Sequence, residues 1–148
     1  MLALIPVLWA CMRATPPSPA ALETPVKVEL TVPSRVASLD DLEIVATLHN
    51  PGPADARIRA VLLDLPSVVL EVRDAAMQPV PTGPPPVPPS LDGDDGQVLP
   101  AGGTWTRRYL GASLFGVMPE PGRYAIRFAF EDEWQGDMAS PWVPFELD

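Results

Sequence analysis

The sequence predicts an all-β fold, an antiparallel sandwich of about seven to nine strands, and three observations carry that expectation. Apolar and polar residues alternate with period two through several short runs, and no run sustains the 3.6-residue period of a helix. Turn signals punctuate those runs at intervals of roughly 8 to 12 residues, the spacing of sandwich strands. Proline supplies 21 of the 148 residues, far above the roughly 5% norm, and this abundance suits turns and sheet edges rather than helix interiors.

A chain of this length fits one domain and buries roughly 70% of its unfolded surface, enough for an independent core. The net charge of -9 argues against nucleic acid or an anionic membrane surface as partner, because phosphate neutralisation needs clustered Lys and Arg. One cysteine, Cys11, excludes an internal disulfide and a cysteine-rich metal site. One histidine, His49, leaves a catalytic triad or a two-histidine zinc motif without its parts. No cofactor is implied.

Met1 to Ala10, MLALIPVLWA, is an apolar run of signal-peptide length, too short for the roughly 20 residues that span a bilayer. Leu8-Trp9-Ala10-Cys11 resembles the lipobox of bacterial lipoproteins. That resemblance implies a signal peptide over residues 1–10, a lipidated Cys11 as mature N-terminus, and an envelope protein that meets the membrane only through its lipid anchor. The same run also fits another export signal and a soluble secreted product, or an N-terminal tail whose cysteine is incidental. Residues 11–25, small and proline-rich without alternation, read as an extended tether.

The sandwich is expected over residues 26–148. Val26, Val28, Leu30 and Val32 share one side of a first strand, and Leu42, Ile44, Ala46 and Leu48 one side of a second, with His49 at its end on the polar side. Asn50-Pro51-Gly52-Pro53 is a turn, since glycine accepts positive φ and proline fixes φ while removing a donor. Arg57 to Leu65, RIRAVLLDL, reads as one strand with apolar residues on both sides, interrupted by Pro66. Val68, Leu70 and Val72 then alternate into a turn at Asp74 to Met77, with Pro79-Val80 as a short return strand.

Residues 81–97, PTGPPPVPPSLDGDDGQ, cannot form a ladder, and a loop of that length is a place to look for a contact surface. Pro81 with Pro84, and Pro86 with Pro89, have PxxP spacing, which reads as a stiff connector. Asp92-Gly93-Asp94-Asp95-Gly96 fails as an EF-hand: with Gly96 at the invariant glycine position, Leu91 and Gly93 fall where ligands belong. Trp105, Arg107 and Tyr109 share one side of the next strand, and Ala112 to Phe115 has room for a single helical turn between Gly111 and Gly116. Tyr124, Ile126, Phe128 and Phe130 then alternate with Ala125, Arg127, Ala129 and Glu131 in the clearest strand of the chain, too apolar on one side to stand without a facing layer. An acidic hairpin over Glu131 to Asp137 carries Trp134, and Val143, Phe145 and Leu147 close the domain.

Gly122-Arg123-Tyr124 resembles the tyrosine corner of immunoglobulin-like sandwiches, which implies that the phenol of Tyr124 pins Gly122 and the strand entry to upstream backbone; the alternative is a core aromatic. Leu99-Pro100-Ala101-Gly102 and Pro121-Gly122-Arg123-Tyr124-Ala125-Ile126-Arg127-Phe128 are similar to motifs of bacterial exported sandwich domains of the proteinase-inhibitor type and of those preceding deuterolysin-like metalloproteases. The resemblance implies an immunoglobulin-like fold and, without an HExxH motif, no protease activity.

The expected function is non-enzymatic binding or scaffolding of an envelope or extracellular protein, with Pro84, Pro85, Pro86, Pro88 and Pro89 of the loop and Trp134 as contact residues. A protease inhibitor presenting the proline loop is the alternative. A hydrolase built on Glu131, Asp132 and Glu133 is the least favoured, because adjacent carboxylates on a turn normally stay solvated and catalysis needs two pKa values moved apart.

Overall fold

The structure, a computed structural model, describes residues 25–83 and 96–148. Its ten strands are β1 (Lys27–Thr31), β2 (Arg35–Val36), β3 (Glu43–His49), β4 (Ala56–Ile58), β5 (Leu70–Asp74), β6 (Gln97–Leu99), β7 (Thr104–Leu110), β8 (Gly122–Asp132), β9 (Gly136–Ala139) and β10 (Val143–Leu147). Three single helical turns join them: α1 (Ala60–Leu63), α2 (Pro66–Val69) and α3 (Gly111–Leu114). The strands form two facing layers. One sheet runs β1-β3-β7, the other β2-β10-β8-β5 with β9 also on β8, and a two-stranded ribbon β4-β6 extends the first.

This is an immunoglobulin-like antiparallel sandwich: β1, β3 and β7 stand where such folds have strands A, B and E, and β5, β8 and β10 where they have C, F and G. The parallel pairing of β2 with β10 is the exception to the antiparallel rule. The count exceeds the seven to nine expected because β2, β4 and β6 are only two or three residues long.

Period-two alternation produced the layers as expected. Val28 and Leu30 of β1 are buried with Val26 just before it, and Ile44, Ala46 and Leu48 of β3 are wholly buried with Leu42 just before it. Across the gap Ile126, Phe128 and Phe130 of β8, and Phe145 and Leu147 of β10, join the same core cluster. At about 25 cal/mol per Å² of apolar surface removed from water, each of these larger side chains contributes roughly 1.5–3 kcal/mol.

Three expectations fail between residues 57 and 80. The strand expected over Arg57 to Leu65 stops at Ile58, and Val68-Val69 belong to a helical turn instead of a strand. Ala60 and Leu63 are the buried residues of α1, three apart as a helical turn spaces them, while Val61 is exposed. Pro66 sits at the first position of α2, where its missing N–H costs nothing. Leu63 therefore enters the core from a helical turn, and the run VLL does not extend a ladder. After β5, the tight turn is present, with Met77 at φ 61°, but the return strand reduces to a bridge between Arg73 and Pro79 and a bond from the Val80 amide to the Val72 carbonyl.

Asn50 holds the joint between the main ladder and the ribbon. Its side chain is buried, its Nδ2 donates to the carbonyls of Ala54, Leu99 and Pro100 at 2.8, 3.1 and 3.2 Å, and its Oδ1 accepts from Gly52 at 3.0 Å. Its backbone exchanges bonds with Gly102 and Gly103. One side chain thus satisfies both loops that interrupt the ladder.

Candidate functional site

The densest set of specific side-chain interactions among the described residues surrounds the β8–β9 turn. Asp132, the last residue of β8, points inward and is 3% exposed. Its Oδ1 accepts the amides of Trp134 and Gln135 at 2.9 and 3.0 Å, closing the turn locally. Its Oδ2 accepts the amide of Arg59 at 2.9 Å, so the same carboxylate ties the turn to the segment after β4. Gln135 adds a second tie, donating from Nε2 to the Arg57 carbonyl at 3.0 Å. Gly136, at φ 69°, completes the reversal in the left-handed region that glycine enters freely.

These backbone ties seat the indole of Trp134 against two arginines. The guanidinium of Arg57 lies 4.5 Å from the ring centroid and that of Arg59 5.4 Å, within the range of cation–π attraction. Arg57 reaches the ring from β4 and Arg59 from the residue that follows it, at the cap of α1. Arg59 also pairs with Glu133, while its Nε is buried without a hydrogen-bond partner among the described residues. A shallow groove of about 420 Å³ opens beside them, lined by Arg59, Leu62, Phe130, Asp132, Glu133 and Gly136.

Trp134 is half-buried under its arginines rather than standing free in solvent. It reaches the edge of the proline-rich loop through Arg57, since a side-chain carbon placed on Gly96 would fall 2.2 Å from the Arg57 Nε. Pro84, Pro85, Pro86, Pro88 and Pro89, and Cys11, lie outside the described residues, as do the expected signal peptide and nearly all of the tether. At the other flank of the loop, the Gly83 amide donates to the Leu114 carbonyl at 2.8 Å. The nearby Val117 and Met118 are 79% and 62% exposed, the most exposed large apolar side chains described.

The sequence marks Trp134 but not the two arginines that cover it. The Arg-Ile-Arg spacing at 57–59 is the available signal, because period two sets both cations on one side of the chain, although the strand itself ends at Ile58. Asp132 is a correction: expected among solvated turn carboxylates, it is buried and bonded to three amides. Its neighbours Glu131 and Glu133 are exposed.

No protein-family model matches the chain, and no curated protein matches it. The geometry of the molecule therefore carries the functional argument.

Tyr124 stands at the entry to β8, where its phenol donates to the carbonyl of Glu120 and its ring stacks on Phe145 at 5.5 Å. Burial, then the carboxylates of Glu120 and Asp74, push its phenol above the usual range. Gly122 pairs with Leu147 at the same corner. Tyr109 is more deeply placed, donating to the Leu63 carbonyl at 2.6 Å, and burial pushes its phenol up further. His49 lies within 3.3 Å of the Thr104 hydroxyl at the end of β3. Among the described residues no group of three or more His, Cys, Asp or Glu is placed to hold a metal ion, and no helix is long and apolar enough to cross a membrane.

Proposed function

We propose that the chain is a non-enzymatic β-sandwich module that captures a protein partner at the end where Trp134 stands, and that it is exported and held in a bacterial envelope. The observation that carries the binding half is the Arg57–Trp134–Arg59 stack, fixed in place by Asp132 and Gln135 and adjoining Gly96. Tryptophan and arginine dominate binding hot spots, and a stack already immobilised by backbone bonds loses little further freedom when a partner covers it. The carboxylates nearby favour binding over hydrolysis. Asp132 is committed to three amides and Glu133 to Arg59, so neither is free to act as one of a general acid–base pair.

The envelope half rests on the sequence, on the apolar leader and the Leu8-Trp9-Ala10-Cys11 motif. The partner is then an envelope or extracellular protein, and the membrane is met only through a lipid on Cys11. With a net charge of -9, the chain is unsuited to nucleic acid.

Two measurements test the two halves separately. The mass of the mature N-terminal peptide, recovered from membranes of a bacterial host, should show an acylated Cys11; an intact Met1 or a free thiol overturns the anchoring. Trp134→Ala and Arg57→Ala should abolish cross-linking of the chain to its envelope partner while the melting curve keeps its cooperativity. Cross-linking unchanged in both variants removes this site from the argument, and stoichiometric inhibition of a secreted protease would move the reading to an inhibitor.

A further inference from the structure

The face of the second sheet that points away from the core carries a charge pattern that the Trp134 site does not use. Between the buried Ile126, Phe128 and Phe130, β8 turns Arg127, Ala129 and Glu131 outward. One end of this face is basic and aromatic: the guanidiniums of Arg127 and Arg73 lie 4.7 and 5.2 Å from the ring centroid of Trp142. The other end is acidic. Glu131 stands directly opposite Asp137 of β9, both are exposed, and neither has an ion-pair partner among the described residues. Like charges directly opposite in an antiparallel pair destabilise it, so this end favours a cation that the chain does not place there. Between the ends Ala129 faces Ala139 across the ladder, a floor of two methyl groups. Two shallow grooves of about 400 and 390 Å³ meet over it, sharing Glu71, Arg127 and Ala129.

We propose that this face binds a second copy of the same chain. The two-fold axis lies between the facing sheets, runs across the strands, and passes over Ala129 and Ala139. Such an axis reverses the strand direction of the second copy. Arg127, two residues before Ala129, then meets Glu131 of the other copy, two residues after it, and the contact repeats on the far side of the axis as an isologous interface requires. Asp137 of the other copy comes beside Trp142 and its arginines. Arg127 directs Nε and Nη2 to Glu71 at 2.8 Å, which leaves its Nη1 edge for the incoming carboxylate. The methyl floor lets the sheets approach to about 10 Å, the spacing at which sheets pack.

The choice of a second copy over an unrelated protein follows from charge order. Opposite charges stand two residues either side of a small residue on one strand, so the face is complementary to itself when reversed. The area is modest. From the level of Arg73 to Glu131 the face runs about 20 Å along β8 at ~3.3 Å per residue, across about three strands, β5, β8 and then β10 or β9, at ~4.8 Å spacing. It falls short of the roughly 800 Å² per partner of a standard interface, so the association is weak and salt-sensitive. This inference does not rest on partner capture at Trp134.

Sedimentation velocity on the full chain, over a concentration series at low and high salt, tests it. The wild type should shift from monomer to dimer with concentration at low salt and remain monomeric at roughly 1 M salt, where the Debye length is about 3 Å. Arg127→Glu and Glu131→Arg alone should each weaken association about tenfold or more, because each sets like charges together twice. An equimolar mixture of the two variants should recover wild-type association, since both contacts become opposite pairs, and a folding defect cannot produce that recovery. Ala129→Arg, on the axis, should abolish the dimer. A wild type that is monomeric throughout, a mixture that stays monomeric, or association that survives both Glu131→Arg and Ala129→Arg overturns the proposal.

Discussion

The carboxylate of Asp132 accepts the backbone amide of Arg59 at 2.9 Å across 73 positions of sequence, and this bond decides where the β8–β9 turn lies. With its other oxygen holding Trp134 and Gln135, Asp132 is the common point between turn and β4. Replacing it by alanine leaves three amides to find new acceptors. Asp132→Ala should cost about 2–4 kcal/mol, read from urea unfolding, since each buried donor left unpaired costs roughly 1–3 kcal/mol and water reaches part of the turn. Asp132→Asn should recover part of that loss, because the amide oxygen still accepts; equal loss in both variants would show that charge, not geometry, matters.

Asn50 is the second such residue. Asn50→Ala should destabilise by about 2–3 kcal/mol, because the carbonyls of Leu99 and Pro100 and the amide of Gly52 lose their buried partner together. Asn50→Asp should be worse than alanine, since a carboxylate placed against three carbonyl oxygens has no donor to offer them. Thermal melts of the two variants would settle the order.

Gly111 is tightly enclosed. A Cβ there would lie 2.8 Å from two carbons of Leu42 and 2.9 Å from the Leu39 carbonyl, while the Gly111 amide donates to the Leu42 carbonyl at 2.8 Å. Gly111→Ala should therefore destabilise by about 1–3 kcal/mol through overpacking, against the usual gain from replacing a helical glycine. A variant as stable as the wild type would show that the backbone from Leu39 to Leu42 gives way at little cost.

Alkaline titration should expose Tyr109. Its folded phenol is raised by burial above the unfolded value of 10.0, so above about pH 10 the unfolded chain releases a proton that the folded chain retains. Unfolding is then favoured, and stability falls as pH rises through that window. Tyr124, raised in the same direction, adds to the fall. Tyr109→Phe should lose about 1 kcal/mol at neutral pH with the bond to Leu63, yet show a shallower alkaline decline than the wild type. Parallel declines in the two proteins would remove Tyr109 as the cause.

The layers were legible because each depends on period two alone. Leu42 to Leu48 and Ile126 to Phe130 had to bury one side whatever lay opposite. The run from Ala60 to Val69 was not legible, since a short unbroken apolar segment fits a strand or a helical turn equally well by periodicity. Its outcome followed from Arg59, whose amide goes to Asp132 instead of a neighbouring strand. The binding end was half legible: Trp134 was visible as an aromatic in an acidic turn, whereas its cover by Arg57 and Arg59 depends on which turn docks on which strand.

By itself the sequence determined the fold class, the buried side of nearly every strand, and the turns at Asn50–Gly52 and Pro100–Gly103, because these follow from local sterics and from apolar side chains avoiding water. Only the tertiary structure decided that Asp132 is buried, that Asn50 bridges two loops, and that Trp134 rests on two arginines. Each of those joins groups far apart in sequence. A long-range hydrogen bond or stack has no period; it exists only once the sheets have packed and brought its two ends within about 3 to 6 Å.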